Sequence, residues 1–290
     1  MNDALLRMRL MVFLCLMVGF LVLIFWLYQK ETIANSPDGF LTVAFLDVGQ
    51  GDAIFIKTPD GVQMLIDGGP DSSVLRELAK QMPVGDRSLD VVLSTHADKD
   101  HLGGLVDVLD RYEVEQLIVS NNQNDTTVRE AFDLAVAKEE VDIQVVSTGY
   151  QIGLGASTSL MVFSPLGDTS NWETNTASLV TQLRFGEIEF MLTGDAPISI
   201  EEYLAQTYGD TLESEVLKLG HHGSQTSSGE VFLDTVQPKY GIVSAGKDNS
   251  YGHPHSEVIE KLLKRNIAIL NTADSGTIIF KSDGREVWVE

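Results

Sequence analysis

Cysteine is nearly absent from the chain: Cys15 is the only one in 290 residues. No intrachain disulfide can form, and a chain this long buries enough apolar surface to fold without one, so the lack is compatible with either side of a membrane. Basic residues are also scarce, with 20 Lys and Arg against 42 Asp and Glu and a net charge of −22. That excess repels nucleic acid and anionic membranes at long range, which counts against a strong nucleic-acid-binding surface. A polyanionic substrate would have to be met by bound cations. Trp26, Trp172 and Trp288 are not interleaved with basic residues, so no groove for stacking bases is evident. Repeats and low-complexity tracts are missing, and 43% apolar against 21% charged residues is an ordinary globular balance.

Long apolar runs are limited to one. Met11 to Leu27 is unbroken and is extended by Leu10 and Tyr28; about twenty apolar residues span a bilayer. The run exceeds the roughly 7–15 residues of a cleavable signal core, and Ile33-Ala34-Asn35 matches a cleavage site poorly. Residues 10–28 therefore read as a retained transmembrane anchor, with secretion the outcome if the segment is cleaved. Arg7 and Arg9 before the run outweigh Lys30 after it, which places residues 1–9 in the cytoplasm and the rest outside it. Residues 1–30 sum to +2, leaving −24 for the remainder. Cys15 reads as a small apolar residue facing lipid. Residues 29–39, with Pro37 and Gly39, read as a linker.

From Phe40 onward, short apolar runs alternate with turn signals. Strands are expected at 41–48, 53–58, 62–69, 91–95, 117–120, 143–147, 160–165, 178–185, 188–194, 216–220, 240–246, 267–270, 277–280 and 286–289. Gly186 marks a hairpin turn between Phe185 and Ile188. Leu102, Leu105, Val106 and Leu109 have helical spacing, so the preceding polar segment reads as a loop between a strand end and a helix start. Further helices are expected from Thr127, with Thr127 and Glu130 as a capping box, and near 198–206, 229–235 and 256–265, the last capped by Ser256. Glu201 and Glu202 read as a solvated helix surface. Two sheets with helices outside, in one domain over 40–290, is the simplest arrangement.

Histidine is rare and clustered. All six fall in three pairs, His96 with His101, His221 with His222, and His253 with His255. Around the first pair, LSTHADKDHLGG (93–104) adds Asp98 and Asp100, so several ligand atoms can converge on a metal from one turn of backbone. The same rule recurs down the chain. VVLST leads to His96, FMLTG to Asp195, VLKLG to His221, and GIVSAG toward His253, so ligands distant in sequence can meet along one sheet edge. Asp47, Asp52 and Asp67 flank strands beside glycines, where a turn-stabilising role is as natural as a site role. Lys99 and Lys247 read as solvated. Ser244 and Asn249 share the Gly/Ser/Asn-rich loop with His253, and His255 reads as a helix-start residue.

FLDVGQGDA (45–53), LIDGG (65–69), HADKDHLGG (96–104), LTGD (192–195), LKLGHHGS (217–224) and SAGKDNSYGHP (244–254), in this order, resemble the metallo-β-lactamase fold superfamily. The resemblance is closer to the branch that includes the extracellular hydrolase-like domain of the DNA-uptake protein ComEC. It implies an α+β, four-layer αββα sandwich, here preceded by one N-terminal transmembrane helix, and a catalytic centre with two divalent metal ions. It also implies that His96 and Asp98 face the first metal, Asp100 and His101 the second, with Asp195 between them. His221 or His222 would complete the ligands of the second metal, and His221 is slightly preferred as nearer the strand end. Asp67 would buttress the ligands, and His253 would bind a phosphoryl oxygen or protonate a leaving group. Asp98 stands where most members have histidine, and NTASLV (175–180) occupies the place of a further histidine. Carboxylate in place of imidazole moves preference from zinc toward manganese. The expectation is a metal-dependent phosphodiesterase, with DNA or another phosphate-bearing polymer as substrate. Hydrolysis of a lactam, lactone or thioester, or a catalytically silent binding module, are the rival readings.

Overall fold

The structure, a computed structural model, describes residues 39–122, 126–139 and 141–290, together with Met11, Phe13, Leu16, Met17, Gly19 and Phe20, which are helical. The chain divides into two units, Met1–Asp38 and Gly39–Glu290. Most of the expected anchor over 10–28 and nearly all of the linker lie outside the described residues. Among the described residues no helix is long and apolar enough to cross a membrane.

The second unit runs β1 (Leu41–Phe45), β2 (Ile54–Lys57), β3 (Gln63–Ile66), α1 (Ser73–Gln81), β4 (Ser88–Ser94), α2 (Lys99–Leu109), β5 (Glu113–Val119), α3 (Thr127–Glu139) and β6 (Asp142–Val145). It continues with β7 (Gln151–Gly153), β8 (Thr158–Ser164), β9 (Val180–Phe185), β10 (Ile188–Leu192), α4 (Ile198–Tyr208), β11 (Val216–Lys218), α5 (Glu230–Val236), β12 (Tyr240–Val243), α6 (Ser256–Lys264) and β13 (Ala268–Asn271). The short α7 (Thr272–Ser275) then hands the chain back to the first sheet through β14 (Ile278–Ser282) and β15 (Val287–Val289). One sheet has the order β15-β14-β1-β2-β3-β4-β5-β6, the other β13-β12-β11-β10-β9-β8-β7.

Period-two alternation builds three cores between four layers. On β1, Leu41, Val43 and Phe45 enter the core between the sheets, whereas Ala44 enters the core that Val74, Leu78, Leu102, Leu105 and Phe132 form beneath α1, α2 and α3. On the other sheet, Ile188, Phe190 and Leu192 face the first sheet. Met191 points the other way, to Leu204, Phe232, Val258 and Leu262 of α4, α5 and α6. Phe190 meets Phe280 edge-on across the sandwich, at 6.0 Å between ring centroids, and Phe45 meets Phe280 at the same distance. Burying each such ring stabilises the fold by roughly 2–3 kcal/mol.

α1 was not expected, although Val74 and Leu78 have the i, i+4 spacing of a buried stripe, and β7 was missed because only Ile152 of its three residues is buried. Thr126, not Thr127, closes the start of α3, its hydroxyl accepting from Arg129 N at 3.3 Å. His255 is the N-cap of α6, so Ser256 is already helical. Asp100 and His101 lie in the first turn of α2 and not in a loop. Glu201 is buried, because its carboxylate accepts from the Ser228 and Gly229 amides at 2.8 Å each ahead of α5. The Gly186 hairpin turn is present, with Phe185 paired to Ile188.

β3 to β6 run parallel, as do β10 to β13. In parallel sheets the carboxyl ends of the strands share one edge, where ligand-binding loops collect. Asp67 follows β3, His96 follows β4, Asp195 follows β10, and His221 and His222 follow β11.

Candidate metal centre

Asp195 is the hub of the site. Its Oδ1 lies 3.3 Å from His101 Nε2; its Oδ2 lies 3.5 Å from His222 Nε2, 3.8 Å from His221 Nε2 and 3.9 Å from His96 Nε2. His96 Nε2 is also 3.8 Å from Asp98 Oδ2, and His222 Nε2 is 3.2 Å from Asp100 Oδ2. The buried Nε2 atoms of His96 and His101 and Oδ1 of Asp195 have no hydrogen-bond partner. Unpaired buried polar atoms are costly, and a cluster of them converging at ligand-to-ligand spacing fits a cation bound among imidazole and carboxylate groups.

Behind the ligand atoms, a buried network sets which ring nitrogen faces inward. Asp67 Oδ1 accepts from the Thr95 amide at 2.7 Å, while Oδ2 is 2.6 Å from the Thr95 hydroxyl and 2.8 Å from His101 Nδ1. The hydroxyl donates to Asp67, so its lone pair is left for His96 Nδ1 at 2.9 Å. One carboxylate therefore orients two imidazoles, leaving both Nε2 atoms toward Asp195. Asp52 plays a parallel part for His222, whose Nδ1 is 3.3 Å from Asp52 Oδ1. The other Asp52 oxygen receives the ammonium of Lys218, a side chain with no exposed surface.

Backbone constraints explain the local sequence. A Cβ on Gly51, at φ 137°, would sit 2.1 Å from the Asp100 carbonyl oxygen, so glycine lets the 47–52 loop close on α2 and carry Asp52 inward. Gly104 likewise packs on Gly68, whose oxygen a Cβ would meet at 2.0 Å. His221 (φ 49°, ψ 47°) and His222 (φ 56°, ψ 25°) are both left-handed, a conformation costing about 1–3 kcal/mol for each non-glycine residue.

Burial first, and then the neighbouring charges, set the titration behaviour. Burial pulls His96 down to about 3. It opposes charge on His222 as well, but Asp195 and Asp52 overcome it and raise that imidazole to about 9. Burial favours neutral Asp100 and Asp195, yet the His222 and His101 interactions hold both below the usual carboxylate range. Asp98 is raised to about 6, chiefly by burial and with Asp100 and Asp195 adding to it. Burial opposes charge on His101 too, but Asp195 and Asp67 raise it well above the ordinary imidazole range, so the carboxylates of the site favour positive charge where a metal would bring it.

The remaining expected residues are spread around this centre. His253 stacks on Tyr251 at 5.6 Å and stands 5.4 Å from His221 by ring centroid. Burial and the neighbouring imidazoles pull it down to about 4. Asn249 closes the loop, donating to the Gly246 and His253 carbonyls and accepting from the His253 amide. Ser244 is buried just beyond β12, and Lys247 and Lys99 are exposed. Asp47 accepts from the Gly49 amide at 3.3 Å, a turn role. His255 Nδ1 accepts from the Gln225 amide at 3.1 Å. Of the two adjacent histidines, His222 is the buried one, touching Asp52, Asp100 and Asp195; the preference for His221 beside Asp100 does not fit this geometry. Thr95 and Lys218 went unnoticed in the sequence, although a lysine between apolar residues of VLKLG signals a buried charge.

Residues 46–247 match the family described as the metallo-beta-lactamase superfamily. The chain belongs to that superfamily. Within it, the chain is 32% identical over 260 residues to ComE operon protein 3 of Bacillus subtilis, covering 84% of this chain and 33% of that protein. It is 28% identical over 254 residues to the competence protein ComA of Neisseria gonorrhoeae, covering 87% and 33%. The chain thus spans about a third of the length of these curated relatives, which bears out the resemblance to the competence-protein branch for that portion. Among solved structures, the metallo-beta-lactamase fold protein YhfI of Bacillus subtilis superposes with a TM-score of 0.56 at 12% identity, covering 83% of this chain and all of that one. The metallo hydrolase Igni18 of Ignicoccus hospitalis gives 0.54 at 12%, covering 83% and 98%. These two superpositions bear on the fold alone.

Proposed function

We propose that the chain is a membrane-anchored, extracytoplasmic hydrolase that uses two divalent metal ions, manganese or zinc, to cleave phosphodiesters, DNA among them. The convergence of His96, His101, His221 and His222 Nε2 on the two oxygens of Asp195 carries this reading, because one carboxylate shared by two groups of donors suits a pair of cations. His96 and Asp98 would face one ion, Asp100, His101 and His222 the other, and Asp195 both. When bound, two such ions acidify water and clamp phosphoryl oxygens.

The residues themselves supply orientation and charge. Asp67 and Thr95 hold His96 and His101 in the ligating tautomer, and Asp52 does the same for His222. With carboxylates at Asp98, Asp100 and Asp195, the donor set is harder than an all-histidine one and suits manganese at least as well as zinc. Neutral at pH 7, His253 is fit to donate an N–H to a phosphoryl oxygen, the first of its two expected roles. A proton donor to the leaving group would need a higher affinity for protons. Bound cations also answer the −24 of the chain beyond residue 30, since the field at the site can be positive while the whole is negative. The anchor reading rests on the apolar run 10–28, where Met11, Phe13, Leu16, Met17 and Phe20 are all exposed.

The test is hydrolysis of bis-p-nitrophenyl phosphate and of a chromogenic lactam by the full chain, stripped with chelator and reconstituted with manganese or zinc. Phosphodiester turnover with manganese is expected, abolished in D100A and D195A. Lactam turnover alone would overturn the substrate class, and restoration by zinc alone the metal preference.

A further inference from the structure

The first metal position looks incomplete on sequence grounds: Asp98 replaces one imidazole, and the segment 175–180 has no histidine. The structure brings a replacement from elsewhere. His221 and His222 are adjacent, but consecutive left-handed residues turn their rings 73° apart with centroids 6.0 Å from each other. His222 Nε2 goes to Asp100 and Asp195. His221 Nε2 also approaches Asp195 Oδ2, at 3.8 Å, and so does His96 Nε2, at 3.9 Å. Donors around a tetrahedral ion at about 2.1 Å stand about 3.4 Å apart, close to the 3.8 Å and 3.9 Å that separate His96 Nε2 from Asp98 and Asp195 and to the 3.8 Å between His221 Nε2 and Asp195.

The far side of the ring supports that direction. His221 Nδ1 lies 3.1 Å from Thr226 Oγ1. That hydroxyl donates to Ser224 Oγ at 3.0 Å, which leaves its lone pair to accept from Nδ1–H and turns the Nε2 lone pair toward Asp195. Asn175, at the start of the segment that lacks the histidine, presents its side-chain amide to the same Nδ1 at 3.5 Å; with the otherwise unpartnered Oδ1 turned to the ring, that amide too accepts from Nδ1–H. We propose that His221 is a ligand of the first metal, taking the place of the missing histidine, so that the two adjacent imidazoles serve different ions. This rests on the two-metal reading above.

The distinguishing substitution is His221→Gly, because glycine fits φ 49° without strain. Titration of the metal-free full chain with Mn²⁺, followed by calorimetry and by the electron paramagnetic resonance of free Mn²⁺, is expected to show two ions per wild-type chain. In H221G one ion is retained and the other lost, while the metal-free protein melts no lower than wild type. T226V, which keeps the ligand but removes its orienting partner, is expected to weaken the same ion about 10–100-fold; H221Q gives the reading of H221G should that variant not fold. Two ions of wild-type affinity in H221G, or in H221Q in its place, would overturn the assignment and leave the two-metal reading standing. Fewer than two ions in wild type would remove both.

Discussion

Lys218 meets Asp52 beneath the site with both side chains buried, 0% and 2% exposed, an ion pair within the protein. The ammonium also stands 3.8 Å from Asp195 Oδ1 and donates to the Gly194 carbonyl at 3.2 Å. Removing one partner of a buried pair strands the other as an uncompensated charge, at a cost of about 3–5 kcal/mol. K218M is therefore expected to lower stability by that amount in urea unfolding of the metal-free protein. K218M with D52N should recover much of the loss, since no lone carboxylate then remains. Equal losses in the single and double variants would mean that the lysine acts through packing alone.

Asp67 offers a cleaner probe of orientation. In D67N the remaining oxygen can still accept from the Thr95 amide, but the new amide group faces His101 Nδ1 and forces that nitrogen to accept. The proton then moves to Nε2, which can no longer ligate. Metal affinity should fall about 10–100-fold with only a modest change in melting temperature, as measured by calorimetric titration against wild type. An unchanged affinity would separate Asp67 from the site.

Gly51 tests the close approach of the 47–52 loop to α2. A methyl group there meets a backbone oxygen at 2.1 Å and requires φ near 137°, so G51A should destabilise by about 2–4 kcal/mol and weaken metal binding by moving Asp52 and Asp100 apart. G153A is the control, since no atom lies within 4 Å of the added carbon and its φ is ordinary. Chemical unfolding of the two variants should differ by most of that amount.

Glu201 should impose a pH dependence away from the metal centre. Burial raises its carboxyl to about 7, against the Gly229 and Ser228 amides and the Lys261 charge, with Glu202 adding slightly to the rise. A carboxyl whose folded pKa exceeds its unfolded value binds more protons when folded, so its contribution is complete below about 4.5 and is lost as pH rises through 7. The difference amounts to about 3 kcal/mol at most. Melting temperature against pH, for wild type and E201Q with metal removed, should show a fall between pH 5 and 8 that E201Q lacks. Parallel profiles would place the Glu201 pKa near its unfolded value.

The layered fold was readable from the sequence because strands buried on one face repeat every second residue, as Leu41, Val43 and Phe45 do, and because Gly186 sits where a two-residue hairpin needs a positive φ. Most residues of the candidate centre were readable for a similar reason, since Asp195 and His96 follow apolar runs that end in polar side chains. α1 escaped because only Val74 and Leu78 among its apolar residues are fully buried. Glu201 was misplaced because nothing in its neighbourhood along the chain reveals the amide pair, 27 and 28 residues away, that it caps.

By itself, then, the sequence determined the alternation that makes two sheets, the clustering of His and Asp at strand ends, and the presence of Asp98 and of a histidine-free segment over 175–180. Only the tertiary structure decided how those residues divide around Asp195, which oxygen Lys218 neutralises, and that His221 and His222 point to different places. The reason is physical. Periodicity is a local property of the backbone, whereas the direction of an imidazole depends on a left-handed φ and on hydrogen-bond partners such as Thr226, Asp67 and Asp52, some of which lie far along the chain and meet their histidines only after both sheets have formed.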